Sequence, residues 1–187
     1  MLRPIGRLLQ FVWSVIDPRA SLHLLRVAHF YQYSHIKPRR ELQLGANVTM
    51  APNVSLRNGS RIQIGAHSHI GERSCLWGGD ATGRIVIGEY ALFGPEVFVT
   101  ASDYGMEPGT PVMLQPRRER DVVIGRDVWL GARVIVVAGV TIGDGSIVGA
   151  GSVVTRSLPP SSIAAGIPAR VIRMRDGSAV PQVSRAA

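Results

Sequence analysis

The sequence has one cysteine, Cys75, one lysine, Lys37, and few aromatic residues, which make up 6% of its 187 positions. A single cysteine excludes an internal disulfide bond and a cysteine-based metal cluster. A chain with so little cysteine is usual in a reducing compartment, so we expect a cytoplasmic protein. No apolar run is long enough to span a bilayer and the N-terminal residues lack the order of a signal peptide, so we expect neither a transmembrane helix nor a cleaved leader.

Small and branched side chains are abundant instead. The chain is 45% hydrophobic and contains 21 glycines, which predicts a narrow core. Its net charge is +8 with a sequence pI near 10.9. Such a charge fits a polyanion, a membrane surface or a phosphorylated ligand. The basic clusters around Arg39 and Arg118 are short and lack interleaved aromatic residues, so we do not expect a nucleic-acid partner.

A six-residue repeat runs without interruption from Ile124. Every sixth position is apolar, namely Ile124, Leu130, Val136, Ile142, Val148 and Val154. The next position is usually glycine, and the fifth is small or β-branched. The same pattern begins upstream at Leu44, Met50, Ile64, Ile70, Ile87, Phe93 and Val99, with insertions near residues 58–61 and 78–84 and a longer loop over about 103–121.

A period of six excludes an α-helix and predicts an all-β parallel solenoid. Each hexad supplies one short strand and a turn, three hexads close one coil, and stacking of the coils supplies the stability. Residues 1–35 instead show helical spacing, and Pro18 is expected to separate two helices. We therefore expect a helical arm over 1–40, a solenoid over 41–173 and a frayed tail over 174–187.

The hexads, together with the segment "VTRSLPPSSIAAGIPARVIR", resemble the hexapeptide-repeat acyltransferases. Within that superfamily the chain is similar to galactoside, maltose and nodulation-factor O-acetyltransferases and to enzymes of surface-polysaccharide synthesis. The resemblance covers about residues 44–173. It implies a left-handed β-helix, a homotrimer with active sites between subunits, and acetyl-CoA as the donor to a sugar hydroxyl.

The resemblance also implies a general base, and here the sequence departs from the family. The segment "VTASDYG" places Tyr104 where the family has its catalytic histidine, and Glu96 stands where an asparagine is frequent. Three hypotheses follow. Glu96 or Asp103 replaces the imidazole as the base; His69 or His67 enters from a neighbouring subunit; or the protein binds its ligand without turnover, as a scaffold or binding module.

The match to the family is more complete on the donor side. It places the pantetheine of CoA beside Gly131, Ala132, Gly149 and Ala150, with Trp129 next to the cleft. Thr155, Arg156 and Arg170 match positions near the adenosine and its phosphates, to which a guanidinium can donate two hydrogen bonds. A zinc site of three histidines on the same solenoid is not expected, because no histidine follows His69.

The N-terminal segment leaves two interpretations open. Residues 1–35 can form a helical cap on the open end of the solenoid, which would block pairing at its edge. Alternatively, they can lie on a membrane surface where lipid-linked sugars are processed. The sequence favours the cap.

Overall fold

Short strands wound into five stacked coils make up most of the molecule, in a computed structural model that describes residues 4–180. The strands of the coils and the loop, in chain order, are β1 Gln43–Leu44, β2 Thr49–Met50, β3 Ser55–Arg57, β4 Ile62–Ile64, β5 His69–Ile70, β6 Cys75–Trp77, β7 Ile85–Ile87, β8 Leu92–Phe93, β9 Phe98–Thr100, β10 Ser102–Tyr104, β11 Arg117–Glu119, β12 Val122–Ile124, β13 Trp129–Leu130, β14 Ile135–Val136, β15 Thr141–Ile142, β16 Ile147–Val148 and β17 Val153–Val154.

The coils form three parallel sheets, which are the faces of a triangular prism. The first sheet contains β1, β4, β7, β12 and β15; the second contains β2, β5, β8, β13 and β16; the third contains β3, β6, β9, β14 and β17. Strands pair with the strands one coil above and below them, as Leu130 does with Phe93 and Val148. This is the hexapeptide-repeat left-handed β-helix that the sequence predicts.

The repeat is explained by what each of its positions contacts. The apolar first position points into the core, and all six of these residues from Ile124 to Val154 are buried. The small fifth position is buried as well, as at Val134 and Ser146. Glycine follows the apolar residue because adjacent coils touch there: a Cβ at Gly131 would lie 2.6 Å from the amide nitrogen of Ala150.

All three insertions leave the solenoid at the same corner, between the third sheet and the first. They are the 3₁₀ turn Gly59–Arg61, the loop 78–84 and the loop 101–121. The longest was expected only as a loop, but it contains the antiparallel hairpin of β10 and β11, in which Asp103 pairs with Arg118. Because the insertions are stacked, they build a wall along one edge of the prism.

The arm has the two helices predicted on either side of Pro18. They are α1 Pro4–Ile16 and α2 Pro18–Tyr31, followed by a π-helical turn, Gln32–Ile36, and by α3, Lys37–Glu41. The π-helical turn packs on β3, and α3 packs on β3 and on the 3₁₀ turn of the first coils. Helix α2 has no buried residue. The expected cap is therefore restricted to residues 32–41, and no helix of the described residues is long and apolar enough to cross a membrane.

The other end of the solenoid is closed by a hairpin. Strand β18, Ser162–Gly166, adds to the second sheet beside β16, and β19, Ala169–Met174, returns antiparallel to it. Ala164 and Ala169 of this hairpin belong to the hydrophobic core. Of the tail predicted over 174–187, residues 181–187 lie outside the described residues.

Candidate functional site

A pocket of about 580 Å³ lies at the corner where the insertions are stacked. One wall comes from the third sheet, with Trp77, Phe98 and Thr100. The opposite wall comes from the loop 101–121, with Asp103 and Tyr104 among its residues. The pocket is open to solvent, and its chemistry depends on which side chains these two walls present.

Arginine guanidiniums stack on two of the aromatic rings that line the pocket. The rings of Trp77 and Phe98 meet edge to face, with centroids 4.9 Å apart. The guanidinium of Arg57 lies 4.3 Å from the Trp77 ring, and that of Arg117 lies 5.1 Å from the Tyr104 ring. Both distances are within the range of a cation–π interaction. The walls therefore offer flat apolar faces bordered by fixed hydrogen-bond donors.

Two buried polar atoms of the lining residues have no hydrogen-bond partner among the residues described. They are the indole Nε1 of Trp77 and the hydroxyl of Ser102. A buried polar group without a partner costs about 1–3 kcal/mol, so unpaired groups beside a pocket are a natural place for a polar ligand.

The rim of the pocket is held by Glu119, which lies at the end of β11. Its carboxylate accepts hydrogen bonds from four successive amides, including those of Asp80 at 2.6 Å and Thr82 at 2.5 Å. These backbone hydrogen bonds lower the pKa of Glu119 to about 2. Arg117 joins the same loop to the hairpin through Asp80, at 3.2 Å. The insertions are thus cross-linked by ionised groups.

Two of the four predicted catalytic residues line this pocket. Asp103 is partly buried, and its carboxylate lies 3.6 Å from Arg120. Tyr104 is half exposed, and its hydroxyl lies 3.5 Å from an Nη atom of Arg117. Both residues are in β10, where the alternation of side chains along a strand would direct neighbours to opposite sides. Both are nevertheless among the lining residues.

Glu96, the first candidate for the base, lies outside this pocket at the corner between the second and third sheets. Its backbone has φ of 60°, the left-handed conformation of a solenoid turn. Its carboxylate is 2.5 Å from Nε of Arg133 and 3.0 Å from Nε of Arg73. These two guanidiniums lower the pKa of Glu96. A carboxylate already bonded to two cations is a weak proton acceptor, so the geometry argues against this role.

The histidines also lie away from the pocket within one chain. His69 is on β5 of the second sheet, where it is exposed and its Nδ1 lies 2.8 Å from the Thr49 hydroxyl. His67 occupies a turn with φ of 62° and stacks on Tyr90 at 5.0 Å. Either histidine could reach the pocket only as part of another subunit.

The predicted pantetheine residues lie at the corner between the second and third sheets. Among residues 4–180, the amide groups of Ala132 and Ala150 donate to no protein acceptor, whereas the neighbouring amides of Gly131 and Gly149 each bond to the next coil. Ala132 and Ala150 are on adjacent coils. The corner therefore presents two backbone donors, one above the other. Gly131 itself is explained by the stacking of the coils and needs no ligand.

The remaining donor-side residues are exposed. Trp129 lies on β13 with its ring half exposed, in a column with Leu92 and Ile147 of the second sheet. Thr155 and Arg156 follow β17 at the next corner. Arg170 lies on β19, where one Nη donates to the carbonyl of Ala169. The predicted pantetheine residues thus lie away from the pocket, whereas Thr155 and Arg156 lie at the same corner of the prism as the insertions, two coils beyond the coil of β9.

Several residues of this region were not assigned to a site from the sequence: the lining residues Arg57, Trp77, Asp80, Phe98 and Arg117, and Glu119, which holds the loop beside the pocket. The spacing of the insertions in the sequence could have indicated these residues. The insertions recur after every third hexad, and three hexads make one coil, so all insertions must stack at one corner. The residues just before and within the insertions are therefore neighbours in space, although they are widely separated in sequence.

Comparison with known proteins fits this geometry. The pattern described as bacterial transferase hexapeptide, with six repeats, matches residues 121–156. The matched segment is the uninterrupted run of hexads, and the stacked parallel sheets have the hexapeptide-repeat fold. No curated protein matches it in sequence.

Several solved structures are similar to this hexapeptide-repeat chain. A hexapeptide-repeat acetyltransferase from Vibrio cholerae is 29% identical, with 74% of this chain and 77% of that chain covered and a TM-score of 0.66. It has also been solved with acetyl-CoA bound. A maltose O-acetyltransferase from Clostridium difficile 630 is 28% identical over 73% of this chain and 72% of its own, with a TM-score of 0.64.

A third relative has a different acceptor chemistry. It is an N-acyltransferase from Bacillus cereus, solved with dTDP and 3-hydroxybutyryl-CoA, 26% identical over 73% of this chain and 85% of its own, with a TM-score of 0.59. The neighbours are thus acyltransferases, and two of them were solved with an acyl-CoA. They differ in the acceptor and in the acyl group.

Proposed function

We propose that the protein transfers an acetyl group from acetyl-CoA to a hydroxyl group of a sugar, within surface polysaccharide or glycan synthesis. The observation that carries the proposal is the pocket, whose aromatic walls, two arginines, Asp103 and two unpartnered polar atoms suit a sugar ring. Sugar rings have apolar C–H faces that pack on aromatic rings, and hydroxyl groups that need hydrogen-bond partners. The similarity to acetyltransferases supports acetyl-CoA as the donor.

The chemistry needs a base, a donor and a means of holding the oxyanion. The acceptor oxygen attacks the thioester carbonyl carbon, its proton passes to the base, and the CoA sulfur leaves and is protonated. Of the residues of one chain, Asp103 is the best placed to act as this base, because it lines the pocket and is only partly exposed. Tyr104 beside it would orient the acceptor, with its hydroxyl near Arg117.

The proposal includes a homotrimer. The outward side chains of the second sheet form an apolar column of Leu92, Trp129, Ile147 and Ile163, and the third sheet has Phe98, Ile135 and Val153 at matching heights. Apolar side chains on flat outer faces favour lateral packing against another copy. Such packing would bring the pantetheine-binding residues of one subunit toward the pocket of the next subunit. Within one chain these residues and the pocket lie apart.

The test measures CoA thiol release and acetyl transfer to a panel of mono- and oligosaccharides. We expect transfer by the wild-type protein, and a loss of about 10²–10⁴-fold in rate for Asp103→Asn with CoA binding retained. Glu107→Gln is the matched control in the same loop, where Glu107 is exposed and pairs with Arg118. His69→Ala, Glu96→Gln and Tyr104→Phe complete the set, because His69 of a neighbouring subunit remains the alternative base.

The competing function is that of a binding or scaffold protein that no longer catalyses acetyl transfer. The observation that favours it is Tyr104 at the position where the family has histidine. If the wild-type protein binds acetyl-CoA but transfers to no acceptor, while Tyr104→His produces transfer, the enzyme proposal is wrong. A monomeric mass in solution would contradict the trimer.

A further inference from the structure

The two helices of the arm expose an extensive apolar surface that the solenoid does not cover. Trp13 of α1 is 72% exposed and Leu24 of α2 is 68% exposed. Other large apolar side chains of the two helices are also exposed, namely Phe11, Val12, Val15, Ile16, Leu22, Leu25, Val27, Phe30 and Tyr31. Two neighbouring helices with this many exposed large apolar side chains are unusual in a protein without a partner there.

In each helix one face is apolar, although Leu22, Leu25 and Phe30 of α2 lie outside that face. In α2, Ala20, Leu24, Val27 and Tyr31 recur at intervals of four, three and four, so they share one face. Arg19, His23 and Arg26 follow the same rule on another face.

In α1, the polar residues Arg7, Gln10 and Ser14 recur at intervals of three and four, and the rest of the helix is apolar apart from Gly6. Each helix is therefore amphipathic about its own axis. This is the form of a helix that lies in the plane of a membrane interface.

The charge of the chain is concentrated in the same segment. Residues 1–40 contain seven basic residues and one acidic residue, which is a net +6 of the total +8; the part that forms α1 and α2, residues 4–31, contains three of the basic residues and the acidic one, which is a net +2. The acidic residue, Asp17, bonds to the amide of Arg19 as the cap of α2. A cationic, amphipathic pair of helices is complementary to a surface that is both negatively charged and apolar just beneath the charge.

We propose that α1 and α2 bind the surface of an anionic lipid bilayer. Their apolar faces enter the boundary between headgroups and acyl chains, and their arginines contact the lipid phosphates. The helices do not cross the bilayer, since none of the described helices is long enough. Helix α3, with Pro38 buried beside Gly59, fixes the arm to the first coils, so that binding also orients the solenoid.

Charge decides between a bilayer and a second copy of the arm as the partner. Two copies of α1 and α2 that packed face to face would bring together two segments with a net charge of +2 each. Like charges at close range oppose such packing, whereas anionic headgroups neutralise them. The proposal does not depend on acetyl transfer, because it concerns a surface outside the pocket.

The test is flotation of the full-length protein with vesicles of phosphatidylcholine alone and of phosphatidylcholine mixed with phosphatidylglycerol. We expect binding to the mixed vesicles and at least tenfold weaker binding to the neutral ones. The double variant Trp13→Glu, Leu24→Glu should lose binding. Arg19→Glu and Arg26→Glu should each weaken it about fivefold or more.

Met113→Glu is the matched control, because Met113 is an exposed apolar residue in the loop 101–121, away from the arm. It should bind as the wild type does, and far-UV circular dichroism should show every variant folded. Equal binding to both kinds of vesicle would overturn the proposal, as would full binding by the double variant. A lipid-free oligomer that dissociates on Leu24→Glu would also overturn it, because the apolar face would then belong to another copy.

Discussion

Arg133 donates from Nε to Oε2 of Glu96 across 2.5 Å, and the two residues lie on successive coils. Both have left-handed backbone conformations, as does Arg73 one coil earlier, which bonds to the other carboxylate oxygen. The winding of the solenoid places equivalent turn positions directly above one another. Glu96 is thus the centre of a column of alternating charge along one corner, and this contact accounts for the residue without catalysis.

The first prediction concerns Glu96→Gln. We expect the acetyl-transfer rate to change less than threefold, because the carboxylate is bonded to two guanidiniums and not to the pocket. Stability should fall slightly, since an exposed ion pair contributes little. The measurements are the initial rate at saturating acetyl-CoA and a thermal melt. A rate loss of a hundredfold would restore Glu96 as the base.

The pH dependence of this contact follows from the direction of the shift. The arginines lower the pKa of Glu96 in the folded protein. The contribution of Glu96 to stability is therefore present above the ordinary pKa of a glutamate and is lost as the pH falls through the lowered folded value. The difference in melting temperature between wild type and Glu96→Gln should accordingly be visible at neutral pH and shrink in acid.

The fold could be predicted because the hexad has one physical meaning at every coil. Ile124 and Leu130 are buried for the same reason, and a glycine such as Gly131 follows wherever two backbones touch. The surface on which helices α1 and α2 pack could not be predicted in this way. Apolar spacing in α2 indicates a helix with a face to cover, and a cap on the solenoid or a membrane satisfies that spacing equally well.

The second prediction concerns Trp77→Phe, which keeps a ring in the wall but removes the unpartnered Nε1 donor. We expect KM for the acceptor to rise about three- to tenfold, as for the loss of one hydrogen bond, with the affinity for CoA unchanged. Tyr90→Phe is the control, since Tyr90 lies at another corner against His67. An unchanged acceptor KM would remove Nε1 from the acceptor site.

The third prediction concerns the phosphates of CoA. Arg156→Ala and Arg170→Ala should each weaken CoA binding about tenfold or more in calorimetry, because a hydrogen bond to a charged group contributes roughly 1.5–3 kcal/mol. Arg173→Ala is the matched control on the same strand as Arg170. If both alanine variants bind CoA as tightly as the wild type, the adenosine phosphates lie elsewhere.

The site was harder to predict than the fold because its residues come from insertions. Asp103 and Tyr104 were singled out in the sequence because they lie in a segment that aligns with the family, next to the hexads. Trp77 and Glu119 were not singled out, because their contacts are with residues that are distant in sequence. Glu119, for example, accepts hydrogen bonds from amides 36–39 residues earlier in the chain. Neither the six-residue period nor a local motif can predict a contact between residues so far apart in sequence.

The fourth prediction concerns Glu119→Gln, which removes the charge that holds the loop 80–83. The carboxylate accepts four amide hydrogen bonds and its pKa is about 2 in the folded protein, against 4.5 for an ordinary glutamate. At neutral pH the variant should be less stable by about 1–3 kcal/mol in urea denaturation, because an amide oxygen accepts these bonds more weakly and its NH₂ group repels them.

The sign of the pH effect then separates this role from simple packing. A lowered pKa means that the stabilisation by Glu119 is complete above about pH 4.5 and is lost as the pH falls through about 2. The stability difference between wild type and Glu119→Gln should therefore be constant from neutral pH to about pH 5, then close in stronger acid as the wild-type carboxylate is protonated. Glu107→Gln, which removes an exposed carboxylate of the same hairpin loop, should show little difference across the range. A difference that persists unchanged at pH 2 would mean that Glu119 acts through its shape and not through its charge.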